Sequence, residues 1–228
     1  MEQKTTKTSK DILSPKKVDI PFNSVKLSKS WALWETYSSK TEELSYEASN
    51  KQIFKWNDII TFFQFWNKYP GNDIKNIFYD GNDVKFFFSE KYRINSMNIF
   101  IDGIKPMWED EQNKGGKYLQ LDYKVQNDKI DEFIKASNYQ WKKLALNLMG
   151  MTLPGADYIN GIRFIDKTNF TRGKIIMFRI EVWTRTINDD NIVEEMKTYL
   201  RKNLGLKHSV KSLQIKILIL LLKKGAIF

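Results

Sequence analysis

An indole followed directly by a carboxylate, Trp108-Glu109, stands in the middle of the stretch D-G-I-K-P-M-W-E-D-E-Q-N-K-G-G over 102–116. Pro106 introduces the loop and Gly115-Gly116 closes it, so the indole reads as displayed on a turn. The face of an indole attracts positive charge. A carboxylate beside it can accept two parallel N–H bonds. Together the two groups suit a cationic purine. Taken alone, the same two residues also fit a buried loop anchor next to a solvated acid.

Other chemistries find little support. There are no cysteines, which removes disulfides, thiolate metal sites and cysteine nucleophiles. The single histidine, His208, leaves no histidine pair for a metal and reads as a solvated residue near a helix end. Glu109, Asp110 and Glu111 are consecutive, so their side chains point in different directions and do not converge on a cation. No G-x-x-x-x-G-K-[ST] phosphate loop is present. The composition favours a binding module over an enzyme and calls for no cofactor.

Lysine and arginine number 37 against 27 acidic residues, a net charge of +10, which favours a polyanionic partner such as nucleic acid. The first residues are polar and lysine-rich, unlike a secretory leader. The one dense apolar run, 215–222, contains Lys216 and is too short to cross a bilayer. The expected compartment is the cytoplasm, with the nucleus left open, and no membrane association is expected.

The elements around the Trp108 loop follow from periodicity. Apolar residues make up 42% and aromatic residues 14% of the chain, enough for one cored domain with tails. Residues 1–26 are rich in Lys, Ser and Thr and read as a mobile tail. Alternation through Trp31, Leu33 and Tyr37 predicts a first strand, and 52–56 a second. Asp58 then caps a helix over 59–69, apolar on two faces and ended by Pro70-Gly71. An aromatic hairpin is expected at 77–79 and 84–88, with strands at 98–101 and 118–123. Ile130, Phe133, Ile134, Trp141, Leu144, Ala145 and Leu148 keep helical spacing up to Gly150. Strands follow at 161–167 and 174–184. In the second, Ile176, Phe178, Ile180 and Val182 share one face and Met177, Arg179, Glu181 and Trp183 the other. A last amphipathic helix spans 191–203. The expected fold class is α+β: a single curved, mainly antiparallel sheet backed on its convex side by three helices.

The 102–116 string resembles the signature of the eukaryotic translation initiation factor 4E family, which grips the 7-methylguanosine cap of messenger RNA. The resemblance extends to Trp31-Ala32-Leu33-Trp34, the two helices at 59–69 and 129–150, and the strand ending in Trp183, over roughly residues 27–206, leaving 207–228 as a last strand or an atypical tail. It implies a cap slot on the concave side of the sheet. Trp108 would be one stacking surface and Tyr46 the other, where most relatives carry tryptophan, with Trp56 as a second candidate for that place. Glu109 would read the guanine edge. Lys117, Lys167 and Arg179, with Arg172 and Lys174 nearby, would hold the cap phosphates, lysine replacing arginine at the first two.

The resemblance also implies a scaffold subunit or rival binding protein that lays a helical peptide on the convex face. Ile59, Phe63, Lys142, Lys143 and Leu146 fall on that face. Phe63 stands where relatives have tryptophan, Lys143 where they have a glutamate that holds a partner arginine, and Lys142 where they have leucine. A partner with an acidic residue opposite the lysines is expected, and Lys143→Glu is expected to strengthen binding of a conventional family peptide. The implied function is recruitment of capped messenger RNA by a monomer. A cap-binding repressor and a general RNA-binding domain remain as alternatives.

Overall fold

The computed structural model describes residues 26–39, 41–79, 91–126, 129–168, 175–204 and 216–219. The N-terminal tail up to 25, the expected strand at 84–88, Arg172, Lys174 and His208 lie outside the described residues.

Among the described residues, seven strands form one sheet: β1 (Lys26–Ser39), β2 (Asn50–Asp58), β3 (Tyr92–Ile101), β4 (Lys117–Gln126), β5 (Ile159–Asp166), β6 (Ile175–Thr184) and β7 (Lys216–Ile219). Their order is β2-β1-β3-β5-β6-β4-β7, and every pairing is antiparallel. The helices are α1 (Tyr46–Ser49), a single turn between β1 and β2, then α2 (Ile59–Trp66), α3 (Ile130–Met149) and α4 (Asp190–Leu204). The three longer helices cover one face of the curved sheet, and the other face is left open.

Period-two alternation sorts side chains between these faces. On β6, Ile176, Phe178, Ile180 and Val182 are buried against the helices with Phe133, Trp141, Val193 and Met196. Arg179, Glu181 and Trp183 take the open face, together with Arg163 on β5, Asn98 on β3 and Thr36 on β1. The W-A-L-W motif places one indole in each layer, because residues three apart on a strand point opposite ways. Trp31 lies in the helix-side core, and Trp34 packs with Phe100, Ile104, Tyr118 and Trp183 on the open face. A one-residue slip in this strand would exchange the two indoles between layers, so both faces fix the register.

Local sequence accounts for the helix boundaries. The Asp58 carboxylate accepts the Thr61 N–H at 2.8 Å, which starts α2. This helix is shorter than its periodicity predicts: it ends at Trp66, and Pro70 forces the chain into two 3-10 turns, Pro70–Asn72 and Ile74–Asn76. Ile77 and Phe78 lie in a turn where a strand was expected, although both are buried with Tyr79 in the core. Helix α3 stops at Gly150 as its spacing indicates. Of the C-terminal segment, Lys216–Ile219 forms an edge strand on β4.

Glu35 is 2% exposed and accepts the hydroxyls of Tyr37 and Tyr69. Burial first, and then this carboxylate, hold both phenols well above the ordinary tyrosine range.

Candidate functional site

The loop that carries Trp108 is clasped by its own side chains. The Asp110 carboxylate accepts the backbone N–H of Lys105 at 2.8 Å and of Gln112 at 2.9 Å. Asn113, 1% exposed, donates to the carbonyls of Lys105 (2.9 Å) and Met107 (2.8 Å). Asn160 at the start of β5 donates to Asn113 Oδ1 (3.0 Å) and to the Gln112 carbonyl (2.7 Å), tying the loop to the sheet. Gly115 has φ +71°, in the left-handed region. A Cβ on Gly116 would stand 1.9 Å from the Thr184 carbonyl oxygen, so only glycine lets the loop join β4 beside β6.

This clasp gives the three consecutive carboxylates separate roles. Asp110 closes the turn, Glu111 pairs with Lys114, and Glu109 is exposed without a hydrogen bond or ion pair among the described residues. They do not converge, and no group of three metal-ligating side chains occurs among the described residues.

Trp108 is half-buried. Its ring lies on that of Trp183, with centroids 3.4 Å apart and planes 10° apart, and is tilted against Tyr118 at 5.4 Å. Trp183 therefore covers one indole face. Sequence reasoning put Trp183 on the open face of β6 but did not pair it with Trp108; the alternation of the two strands carries no information about where a loop ring comes to rest.

The loop that carries Tyr46 reaches the same end of the molecule. Lys105 Nζ, three residues before Trp108, lies 3.0 Å from Glu47 Oε1 in α1. Ser45 caps that turn by accepting the Ala48 N–H. The Tyr46 backbone lies in α1, and its side chain lies outside the described atoms. Trp56, the second candidate for the stacking place, is 3% exposed in the helix-side core with Nε1 3.1 Å from Met149 sulfur, so it faces away from the loops.

Between the end of β1, the 41–49 segment and strands β5 and β6 lies a cavity of about 540 Å³ lined by Ser38, Asn95, Arg163, Lys167 and Glu181 among others. Its charged groups differ in how they are engaged. Arg163 Nη1 lies 3.4 Å from Glu181 Oε2. Arg179, beside the cavity, is bound to both oxygens of Asp122, at 2.7 and 3.2 Å. Lys167 has no carboxylate within ion-pair distance among the described residues. Partial burial and the guanidiniums of Arg179 and Arg163 lower its pKa from the usual lysine value, against the pull of Glu181 and Asp122. Among the described residues of this group, Lys167 is thus the cation without a carboxylate at ion-pair distance, and an anion beside it would relieve the repulsion.

The structure brings Lys167 and Arg179 together and adds Arg163, which sequence reasoning passed over although it shares the strand face of Lys167. Lys117 goes elsewhere. Its ammonium lies 3.8 Å from Asp190 at the start of α4.

On the opposite face, Phe62, Phe63, Trp66, Asn67, Lys142, Ala145 and Leu146 line a groove of about 230 Å³ between α2 and α3. Phe63 and Leu146 are 42% and 41% exposed, more than a core side chain. Ile59 is half-buried at the start of α2. Lys143 does not face this groove freely: its Nζ donates to the Asn203 carbonyl at 3.3 Å, at the C-terminal end of α4 where a cation is favoured.

The profile of a family described as eukaryotic initiation factor 4E matches residues 26–216. Among curated relatives, eukaryotic translation initiation factor 4E of Dictyostelium discoideum is 25% identical over 195 residues, covering 84% of this chain and 65% of that protein. Factor 4E-2 of Schizosaccharomyces pombe is 25% identical over 177 residues, covering 77% and 60%. The human factor 4E is 24% identical over 212 residues, covering 90% and 79%. The chain thus spans less than two thirds of the length of the first two. Among solved structures, Ascaris suum eIF4E-3 with an m2,2,7G cap superposes with a TM-score of 0.60 at 20% identity, covering 89% of this chain and 94% of that one. Caenorhabditis elegans eIF4E-3 with the 4E-binding protein Mextli gives 0.59 at 21%, covering 84% and 92%. At these identities the likeness shows a shared fold.

Proposed function

The chain belongs to the eukaryotic initiation factor 4E family, and we propose that it is a binding module for the 7-methylguanosine 5′ cap of messenger RNA that recruits message for translation initiation. The observation that carries this reading is the clasped loop, with a half-exposed indole beside a carboxylate that has no partner among the described residues. The methylated base, a cation, stacks on Trp108 with Tyr46 on its other side, and Glu109 accepts its N1–H and 2-amino group. Stacking contributes about 1–3 kcal/mol and each hydrogen bond to the charged acid about 1.5–3 kcal/mol. Lys167 meets the phosphates, with Arg163 and Arg179 beside it, and the resemblance assigns Arg172 and Lys174 the same role.

Relatives of known structure include complexes with a cap and with 4E-binding proteins. On this chain we assign the partner peptide to the α2–α3 groove, with Ile59, Phe63, Lys142, Lys143 and Leu146 around its track. The experiment is retention on a 7-methyl-GTP resin. Free 7-methyl-GTP should displace the protein, and unmethylated GTP should do so poorly; equal displacement would favour a general RNA-binding domain.

A second reading, a cap-binding repressor, follows from the resemblance, which puts Phe63 and Lys142, both lining the α2–α3 groove, where relatives carry tryptophan and leucine. Addition to a cap-dependent cell-free translation system separates the two, since an initiation factor restores activity after depletion of the resident factor and a repressor lowers it.

A further inference from the structure

Cross-strand register arranges the open face as a ladder. Tyr118 and Trp183 share one rung, Gln120, Glu181 and Arg163 the next, and Asp122, Arg179 and Ile165 the third. The Lys167 N–H donates to the Met177 carbonyl at 2.8 Å, which adds a fourth rung. Successive rungs are two residues, about 6.7 Å, apart. Trp108 stacks at the first rung, so a phosphate chain running from a base there to Lys167 passes the second and third.

On both of those rungs the cation already faces an acid. Arg163 Nη1 lies 3.4 Å from Glu181 Oε2, which also accepts the Trp183 indole N–H at 2.9 Å. Arg179 turns one edge of its guanidinium, Nε and Nη2, to the two oxygens of Asp122 at 2.7 and 3.2 Å. Gln120 Nε2 holds Asp122 Oδ2 from the same strand at 3.0 Å. The Arg179 and Asp122 side chains are 22% and 14% exposed, so water screens the pair weakly. The charges of both pairs act on Tyr118 at one end of the ladder and on Lys167 at the other, so the group lies between the Trp108 loop and Lys167.

The two acids differ in their other duties. Glu181 anchors an indole as well as a guanidinium. Among the described residues, the Asp122 carboxylate meets Arg179 and Gln120 only. Arg179 Nη1 takes no part in this fork, so an anion can still reach that end of the guanidinium. It meets a pair of zero net charge, with a carboxylate close enough to repel it.

We infer that Asp122 is a specificity-determining residue of the open face. Acting through Arg179, which it holds as a neutral pair, it keeps phosphate charge from dominating binding, so the site selects its ligand by the base. The inference takes the direction of the phosphate chain from the cap reading proposed above. A chain of net charge +10 attracts polyanions of every kind. A carboxylate set in the phosphate track works against those that lack the right base.

The test is calorimetric titration of the full chain with inorganic triphosphate, 7-methylguanosine and 7-methyl-GTP. Asp122→Asn frees the Arg179 guanidinium. It should raise affinity for inorganic triphosphate and 7-methyl-GTP about fivefold, the scale of one partly screened ion pair. Affinity for 7-methylguanosine, which carries no phosphate, should not change. Asp122→Glu keeps the charge and should behave as wild type. Unchanged triphosphate affinity in Asp122→Asn, or an equal gain for the nucleoside or in Asp122→Glu, would overturn the inference. If Asp122→Asn does not fold, the double variant Asp122→Leu with Arg179→Met decides, since apolar residues of similar size can replace an ion pair without loss of fold. Removing a neutral pair should leave triphosphate affinity as in wild type; a fivefold loss would show Arg179 acting as a free cation and overturn the inference. A wild type that does not prefer 7-methyl-GTP to GTP would overturn the cap reading, while the Asp122→Asn gain for inorganic triphosphate would stand by itself.

Discussion

Lys105 Nζ lies 3.0 Å from Glu47 Oε1, and this one ion pair joins the turn before Trp108 to the helical turn that begins at Tyr46. The two loops make different connections, β1 to β2 between neighbouring strands and β3 to β4 across the sheet, so a side-chain contact between them ties two otherwise separate segments together. Both groups are largely exposed, and such pairs are weak and screened by salt. Lys105→Ala should therefore weaken 7-methyl-GTP binding by no more than about fivefold at low ionic strength. The difference from wild type should disappear in high salt. Titrations at two salt concentrations check this, and a loss that persists in high salt would point to another role for Lys105.

The lowered pKa of Lys167 gives a pH dependence with a definite sign. Burial and the neighbouring guanidiniums disfavour its charged form in the free protein. A triphosphate beside it favours the charged form and raises the pKa again. Binding then takes up a proton once the pH exceeds the free-protein value, so the contribution of Lys167 is complete below that value and declines as pH rises through it. The affinity ratio of wild type to Lys167→Met should shrink toward one with rising pH; using the ratio cancels any ionisation of the ligand. A ratio independent of pH would remove Lys167 from the phosphate site.

Asn113 is an example of a buried side chain whose worth lies in the backbone it satisfies. It donates to two carbonyls and accepts from Asn160. Asn113→Ala should cost about 1–3 kcal/mol of stability by leaving those groups unpaired. It should also loosen the Trp108 loop and weaken cap binding. Chemical denaturation and a cap titration on the same variant measure both. Loss of stability with unchanged cap affinity would show that the clasp does not position Trp108.

The α2–α3 groove yields a test of partner chemistry. Lys142 lines it, whereas Lys143 is engaged with the end of α4. Charge reversal at Lys142 should strengthen binding of an arginine-bearing helical peptide of the family type. Lys143→Glu, for which the same gain was expected from sequence, should gain less and should lower the melting temperature by removing a favourable cation from a helix end. Calorimetric titration of the two variants distinguishes them, and no gain at Lys142 would remove the lysine from the partner contact.

What could be read in the sequence follows from which physical signal each feature leaves. The alternation of β6 and the spacing of α3 are dictated by burial, so Ile176–Val182 and Phe133–Leu148 were legible residue by residue. The Trp108 loop was legible through its Pro, Gly and Trp-Glu order. The Pro70–Asn76 turns were not, because Ile74, Ile77, Phe78 and Tyr79 are buried without a period. Nor was the Arg163–Glu181–Trp183 chain: a charged residue on a strand face looks the same whether it meets water or another charge across the sheet. The pairing of Trp108 with Trp183 depends on the path of a loop, and the pointing of Lys117 to Asp190 on where α4 begins. Neither leaves a local mark.

The central claim is that Trp108 and Glu109 hold a methylated guanine. The most direct measurement is the dissociation constant for 7-methyl-GTP of wild type, Trp108→Ala and Glu109→Ala, with GTP as the comparison ligand. Each variant should lose at least about tenfold in 7-methyl-GTP affinity, given the worth of one stacking surface or one charged acceptor, while its melting temperature stays near that of wild type. Variants that bind as tightly as wild type, or a wild type that does not distinguish 7-methyl-GTP from GTP, would contradict it.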